Sequence, residues 1–335
     1  MIFHYSDAPL RVFGLPFYEE NHLLERLPER FRQTLPSLKN LGRRAVGARI
    51  GFRTNASSFT VRMTFQTLWV DVGMSIFGCQ SAEVMIGERK TAHFAGLVKP
   101  TDYDQTTAER TFTKRADWDE ITIYLPRNSF LTDVSVEIDD GAQIAPPTDY
   151  RYPAMLFYGS SITEGGCCTR ASNAYTAILT RHLDADSYNF GFSGAAKGEI
   201  EMADVIRAIP MSILIYDYDH NAPSAAHLAA THEPFFARIR EAQPELPVVI
   251  LSRPNFWNSA DDRARREIIR ETYMHASAAG DRNVWFLDGE TFFGNEEREM
   301  CTVDGCHPND LGFWRMAGVI EPLLARILRE KYPTL

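Results

Sequence analysis

Apolar and polar residues follow different rhythms in the two halves of the chain. In the first half Phe59, Val61, Met63 and Phe65 alternate with Thr60, Arg62 and Thr64, the period of a strand with one buried face. Ile121, Ile123 and Leu125 repeat that alternation, and so do Val134, Val136 and Ile138. Between these two runs, Pro126-Arg127-Asn128-Ser129 reads as a hairpin turn. Several short strands with turn signals predict a sandwich of two sheets. The opening segment from Leu23 to Leu41 lacks the alternation and leaves room for a short helix.

Around Gly141 to Pro153 the pattern changes. Ala145-Pro146-Pro147-Thr148 extends neither sheet nor helix easily and reads as a linker. Beyond it, Met155 to Tyr158, Tyr188 to Phe190, Ile213 to Tyr216, Val248 to Leu251 and Val284 to Leu287 are short apolar runs that predict buried strands. Amphipathic stretches follow most of them, for example Ala264 to Ala279 and Leu311 to Leu328. Strands alternating with helices predict an α/β layer with a doubly wound, flavodoxin-like parallel sheet. In such sheets the ligand sits beyond the carboxyl ends of the strands, which directs attention to Gly159-Ser160-Ser161 after the first of them.

Length and composition narrow the classes. A chain of 335 residues has room for two domains, and 44% hydrophobic with 24% charged residues is the balance of a folded globular protein. The net charge of −9 and the lack of any dense Lys or Arg run argue against a nucleic-acid partner. No stretch approaches the roughly 18 apolar residues that span a bilayer. Met1 to Asp7 has no basic start followed by an apolar core, so no secretory signal is expected. With an odd count of five cysteines, the expectation is reduced thiols in the cytoplasm. Cys301, Cys306 and His307 match no common zinc spacing, so no metal site is expected.

Four segments carry the candidate chemistry. Gly159-Ser160-Ser161-Ile162-Thr163-Glu164-Gly165 turns from strand to helix, exposing a serine whose backbone N–H faces the crevice beside a partly positive helix end. A serine hydroxyl needs a base within reach; taken alone, the segment also fits an ordinary turn. Near the other end of the chain, Asp304-Gly305-Cys306-His307 precedes the last helix, with Asn309 or Asp310 as its N-cap. There Asp304 can orient His307 and stabilise the imidazolium formed when it takes a serine proton. Gly194, after the second strand, and Asn221, after the third, add donors to the N–H of Ser161 for a developing oxyanion.

In this order, Ser161, Gly194, Asn221 and His307 resemble the four blocks of the SGNH hydrolase superfamily, the GDSL-like esterases. Gly159-Ser160-Ser161-Ile162 stands where the family has Gly-Asp-Ser-Leu, with Ser160 in place of the aspartate. The stretch Gly159 to Gly165, with Cys167, Arg170 and Tyr175, resembles a bacterial subgroup that carries a β-domain ahead of the hydrolase. The resemblance covers about residues 150 to 330 well and the first half weakly, through Gly78 to Met85. It implies a jelly-roll-like β-sandwich over 1–148 and a three-layer α/β/α SGNH hydrolase over 149–335. It implies a carboxylic ester hydrolase that needs no cofactor, with Ser161, His307 and Asp304 as catalytic residues and Ser161, Gly194 and Asn221 as the oxyanion hole. Members with an added β-domain resemble carbohydrate esterases, so the implied substrate is an acetylated oligosaccharide, plant-derived, or another small acyl ester.

Competing assignments exist for several of these residues. Ser160 is an alternative nucleophile, disfavoured by the family register. Gly191-Phe192-Ser193-Gly194-Ala195 nearly matches the α/β-hydrolase elbow but has alanine where the last glycine belongs. Asp217 and Asp219 suggest a carboxylate pair of the glycosidase kind, with nothing to set them across a sugar ring. His220 can serve as a second base, orient its loop or bind substrate. Glu164 either touches substrate or sits solvated in the first helical turn, and Trp257 either lines an acyl or sugar pocket or simply packs. An acyltransferase would use the same residues, and a non-catalytic carbohydrate-binding protein is the reading from another class. The β-rich half can bind glycan, build a homo-oligomer or pack on the hydrolase half. Its apolar strands favour packing.

Overall fold

The computed structural model describes residues 1–68, 71, 73–102, 104–254 and 257–335. The β-rich half forms two antiparallel sheets. One holds Ile2–His4, Phe130–Ile138, Ser58–Thr67 and Thr107–Thr113, in that order. The other runs Ile144–Ala145, Arg49–Thr54, Asp119–Tyr124, Ala82–Ile86 and His93–Val98, with Arg11–Phe13 also paired to Arg49–Thr54. The alternation seen in the sequence does its expected work. Val61 faces Val136 and Met63 faces Val134 across the ladder, and all four are buried. Phe59 meets Phe52 of the opposite sheet edge-on, with ring centroids 6.0 Å apart, so the two sheets share one core.

The hairpin expected at Pro126 to Ser129 is not there. Asp119–Tyr124 and Phe130–Ile138 belong to different sheets, and the segment between them crosses from one sheet to the other. Its side chains turn inward: Arg127 and Asn128 are buried, and Arg127 donates to the carbonyl of Gly165 in the other half of the chain. The expected linker is likewise held down. Ile144–Ala145 pairs with Thr54 and Arg53, and Arg53 Nε donates to the Pro146 carbonyl at 2.9 Å. The opening segment carries the helix Glu29–Thr34, followed by tight turns at Pro36–Leu38 and Leu41–Arg43. Its Leu27, Leu35 and Leu38 are buried in a core of the second half.

That second half is a parallel sheet of β1 (Tyr152–Gly159), β2 (Ala185–Gly191), β3 (Leu214–Asp217), β4 (Val248–Leu251) and β5 (Val284–Leu287) in the order β2-β1-β3-β4-β5. The helices are α1 (Ser161–Glu164), α2 (Tyr175–Leu183), α3 (Ile200–Ile206), α4 (Ala225–Ala242), α5 (Ala260–Ala278) and α6 (Asp310–Lys331). Leu156, Tyr158, Leu214 and Tyr216 pack on the α3, α4 and α5 side. Met155, Phe157, Ile213 and Ile215 pack on the α2 and α6 side. Apolar side chains on both faces explain why these strands read as unbroken apolar runs. The chain is thus an α/β fold with a β-rich domain ahead of a three-layer domain. Gly159 lies level with Gly191 on one side and Asp217 on the other. The carboxyl ends of β2, β1 and β3 therefore open on one crevice, where strand order reverses.

Candidate active site

Close packing shapes the turn after β1. A Cβ on Gly159 would lie 2.1 Å from Thr163 Oγ1 and 2.5 Å from the Asp217 carbonyl oxygen, so only glycine fits. Ser160 is extended, and its hydroxyl caps the next turn by accepting from the N–H of Ile162 at 3.1 Å. Ser161 then opens α1, which lasts one turn and ends at Gly165 with φ of +87°. So short a helix sums too few peptide dipoles for the positive end expected from the sequence. The Ser161 hydroxyl instead meets His307 Nε2 at 2.9 Å, across 146 positions of chain.

The histidine loop is folded tightly on itself. Val303 N–H donates to the His307 carbonyl at 3.0 Å, and Asn309 N–H to that of Cys301 at 2.9 Å. Asn309 caps α6 through the N–H of Gly312. Asp304 Oδ2 lies 2.7 Å from His307 Nδ1, and its Oδ1 accepts from the N–H groups of His307 at 2.7 Å and Cys306 at 2.9 Å. Partial burial pushes the Asp304 carboxyl up, but these hydrogen bonds and the His307 ring outweigh it and hold the group below the usual carboxylate range. An ionised Asp304 fixes the tautomer that leaves His307 Nε2 able to accept the Ser161 proton. The loop remains open to solvent, with His307 and Asp304 side chains 28% and 49% exposed.

Gly194 follows three residues after the carboxyl end of β2. It is exposed with φ of +70° and nothing within 4 Å of where a Cβ would point. Asn221 spends one amide N–H on the Phe192 carbonyl at 2.9 Å, which leaves a second N–H on the same nitrogen as a donor. The loop carrying Asn221 is anchored by both aspartates. Asp217 accepts from Thr163 Oγ1 at 2.7 Å and Tyr175 OH at 2.9 Å. Burial raises it to about 7, against those two hydrogen bonds. Asp219 takes a two-pronged pair from Arg253 at 2.9 and 2.8 Å. Neither carboxylate stands across an open crevice, which removes the glycosidase reading.

The other candidates divide. His220 is pushed down to about 4 by burial, with Arg253 and His307 adding to the effect and Asp219 opposing it. It is therefore too weakly basic for a second general base at neutral pH, and its Nδ1 lies 3.9 Å from Cys306 Sγ beside the histidine loop. Trp257 is 43% exposed and donates its indole N–H to the Gly305 carbonyl at 2.9 Å, so it borders the same loop. Asn255 and Phe256 of its segment lie outside the described residues. Glu164 is buried, not solvated, because it accepts from Ser193 N–H at 3.0 Å and from the Ser193 hydroxyl. Ser193, the near-match to a nucleophile elbow, is thus bonded to a carboxylate and not to a histidine.

Sequence reasoning missed the groups that brace this site from behind. Thr163 and Tyr175 hold Asp217, and Asn189 holds the Thr163 carbonyl at 2.8 Å. Arg26, Arg44 and Arg127 of the β-rich half are buried. No local signal marks an arginine that will bond to a distant segment of the chain. Among the described residues, no group of three or more His, Cys, Asp or Glu side chains could hold a metal ion, and no helix is long and apolar enough to cross a membrane.

Comparison with known families agrees with this architecture. The GDSL-like Lipase/Acylhydrolase family model matches residues 153–325, more than half of the chain. The chain belongs to the GDSL-like lipase/acylhydrolase family. Residues 3–144 of this GDSL-like protein match the N-terminal domain of SGNH-hydrolase-type esterases. A GDSL-like lipase from Bacteroides ovatus has 24% identity, a TM-score of 0.87 and 98% coverage of both chains. The salicylyl-acyltransferase SsfX3 of a tetracycline biosynthetic pathway has 20% identity and a TM-score of 0.78, covering 98% of this chain and 97% of its own. A family two carbohydrate esterase from Clostridium thermocellum, in complex with cellohexaose, has 13% identity and a TM-score of 0.64 over the whole of both chains. At such identities the structural likeness establishes the fold. A search of curated proteins finds no match. By family, the GDSL-like protein is an ester-hydrolysing enzyme of the acylhydrolase group.

Proposed function

We propose that the protein is a serine esterase that removes O-acetyl or other short acyl groups from carbohydrates, such as plant-derived oligosaccharides, through an acyl-Ser161 intermediate. The reading is carried by the unbroken hydrogen-bond chain from Ser161 Oγ through His307 to Asp304, at 2.9 and 2.7 Å. In this mechanism Ser161 Oγ attacks the ester carbonyl as His307 Nε2 takes its proton. The N–H groups of Ser161, Gly194 and Asn221 stabilise the oxyanion. Collapse of the tetrahedral species breaks the bond to the sugar oxygen, which leaves with the proton from His307. Water, deprotonated by the same histidine, then releases the acid and restores Ser161. Trp257 stands beside the loop as a flat surface against which a sugar ring can stack. In this reading 1–148 is the β-sandwich domain and 149–335 the catalytic one.

Transfer to an alcohol acceptor is the second reading, motivated by the acyltransferase among the similar folds. The solvent-open relay favours hydrolysis, because a transferase must keep water from the acyl-enzyme. Ser161→Ala is expected to abolish acetate release from an activated acetyl ester with the fold unchanged; retained turnover refutes the assignment. Acetate release across acetylated xylan, mannan, pectin and simple acetyl sugars tests the substrate class. Acylated acceptor formed in preference to free acetate when an alcohol acceptor is present would favour transfer.

A further inference from the structure

The turn after β2 is held by a single side chain from the β-rich domain. Arg26 is fully buried, and all five of its N–H donors are used. Nη1 donates to the carbonyls of Asn189 at 3.1 Å and Gly191. Nη2 donates to the Leu41 carbonyl at 2.7 Å and to Glu164 Oε1 at 3.3 Å. Nε donates to the Arg44 carbonyl at 3.1 Å, and the guanidinium lies over the Phe192 ring at 4.5 Å. Glu164 passes the constraint on by accepting from Ser193 with its other oxygen. Asn189, Gly191, Phe192 and Ser193 are therefore all fixed directly or through one carboxylate, and Gly194 comes next. Phe192 also presents the carbonyl that holds Asn221 at 2.9 Å.

We propose that Arg26 is a positioning residue for acyl transfer: through Glu164 and the β2 turn it sets the Gly194 N–H and the Asn221 amide at the distance the oxyanion requires. The β-rich domain thus completes the catalytic geometry of its neighbour. This inference rests on the serine-esterase reading above. A buried ion pair is a poor device for stability alone, since apolar packing of the same volume often serves as well or better. What apolar packing does not supply is five directed bonds to backbone and carboxylate in one rigid fork, and a lysine cannot supply them either. An error of about 1 Å in such placement costs on the order of a hundredfold in rate.

The test is a kinetic cycle on the full chain with 4-nitrophenyl acetate. Arg26→Met is expected to lower kcat about ten- to a hundredfold with KM changed by less than about threefold. In an Asn221→Ala background the same substitution is expected to cost several-fold less than in the wild type, because one of the two donors it positions is already gone. Unchanged kcat in the folded variant, or the full loss repeated in the Asn221→Ala background, overturns the proposal. If Arg26→Met does not fold, Ser193→Ala takes its place in the cycle, with an expected drop of about fivefold and the same non-additivity; an unchanged or additive result there overturns it equally. Ser161→Ala runs alongside. Turnover by that variant would bring down the esterase reading itself, whereas an inert Ser161→Ala beside an unimpaired Arg26→Met removes only the role of Arg26.

Discussion

The two sides of the crevice are built in opposite ways. The Ser161 side is dry and braced: Ser160, Ser161, Thr163, Glu164 and Asn189 are all buried, and bonds from the β-rich domain reach it through Arg26 and Arg127. The His307 side is wet and self-supporting, a loop closed by its own backbone and steadied by Trp257. The contrast has a physical logic. Charge develops on the substrate oxygen, and donors stabilise it best when they are fixed in place before the reaction. The histidine must exchange protons and admit water once in each cycle, which exposure permits.

Substitutions can break this contrast or sharpen it. Asp304→Asn should have the largest effect, a loss of about three to four orders of magnitude in kcat, because the wrong tautomer of His307 is then favoured; a loss under tenfold would show that the exposed carboxylate does not orient the ring. Asn221→Ala, on the braced side, should lower kcat by about two to three orders with little change in KM. A change confined to KM would move Asn221 out of the oxyanion site. Trp257→Phe keeps an aromatic face but loses the bond to Gly305, and a drop of about two- to fivefold in kcat is expected. An equal fall with acetylated sugars and 4-nitrophenyl acetate shows that the indole N–H steadies the loop; a fall confined to acetylated sugars would show that it acts on the sugar instead.

The smallest effect is one of stability. Asp217 binds its proton up to about pH 7 in the folded protein, whereas the unfolded chain releases it near the ordinary value of 3.8. The folded state therefore holds the extra proton between those values, and this group's contribution to stability declines as pH rises through that window. An uncharged amide at this position would accept from the same hydroxyl donors, so Asp217→Asn should melt a few degrees above wild type at pH 8, with the gap closing toward pH 4. A lower melting temperature at pH 8 would show that the ionised carboxylate is needed there.

Local pattern makes much of this legible. The five parallel strands stand out because both of their faces are buried, and Gly159 through its position directly after the first. The pairing of Ser161 with His307 and Asp304 can be anticipated because each sits in a loop at the carboxyl edge of that sheet. The errors share one cause. Pro126 to Ser129 reads as a hairpin, and Glu164 as a solvated carboxylate, because sequence near each position says nothing of the distant partner that buries it. Arg26 is invisible for the same reason: its five acceptors come from separate stretches of chain between Leu41 and Gly191. Long-range polar contacts between the two domains carry no periodicity to read.

The central claim is that the hydroxyl of Ser161 carries the acyl group during turnover. Rapid acid quench during steady-state hydrolysis of 4-nitrophenyl acetate, followed by digestion and mass spectrometry, tests it directly. The account predicts an acetyl group on Ser161. Turnover with the acetyl group found instead on Ser160 or Ser193 would contradict it.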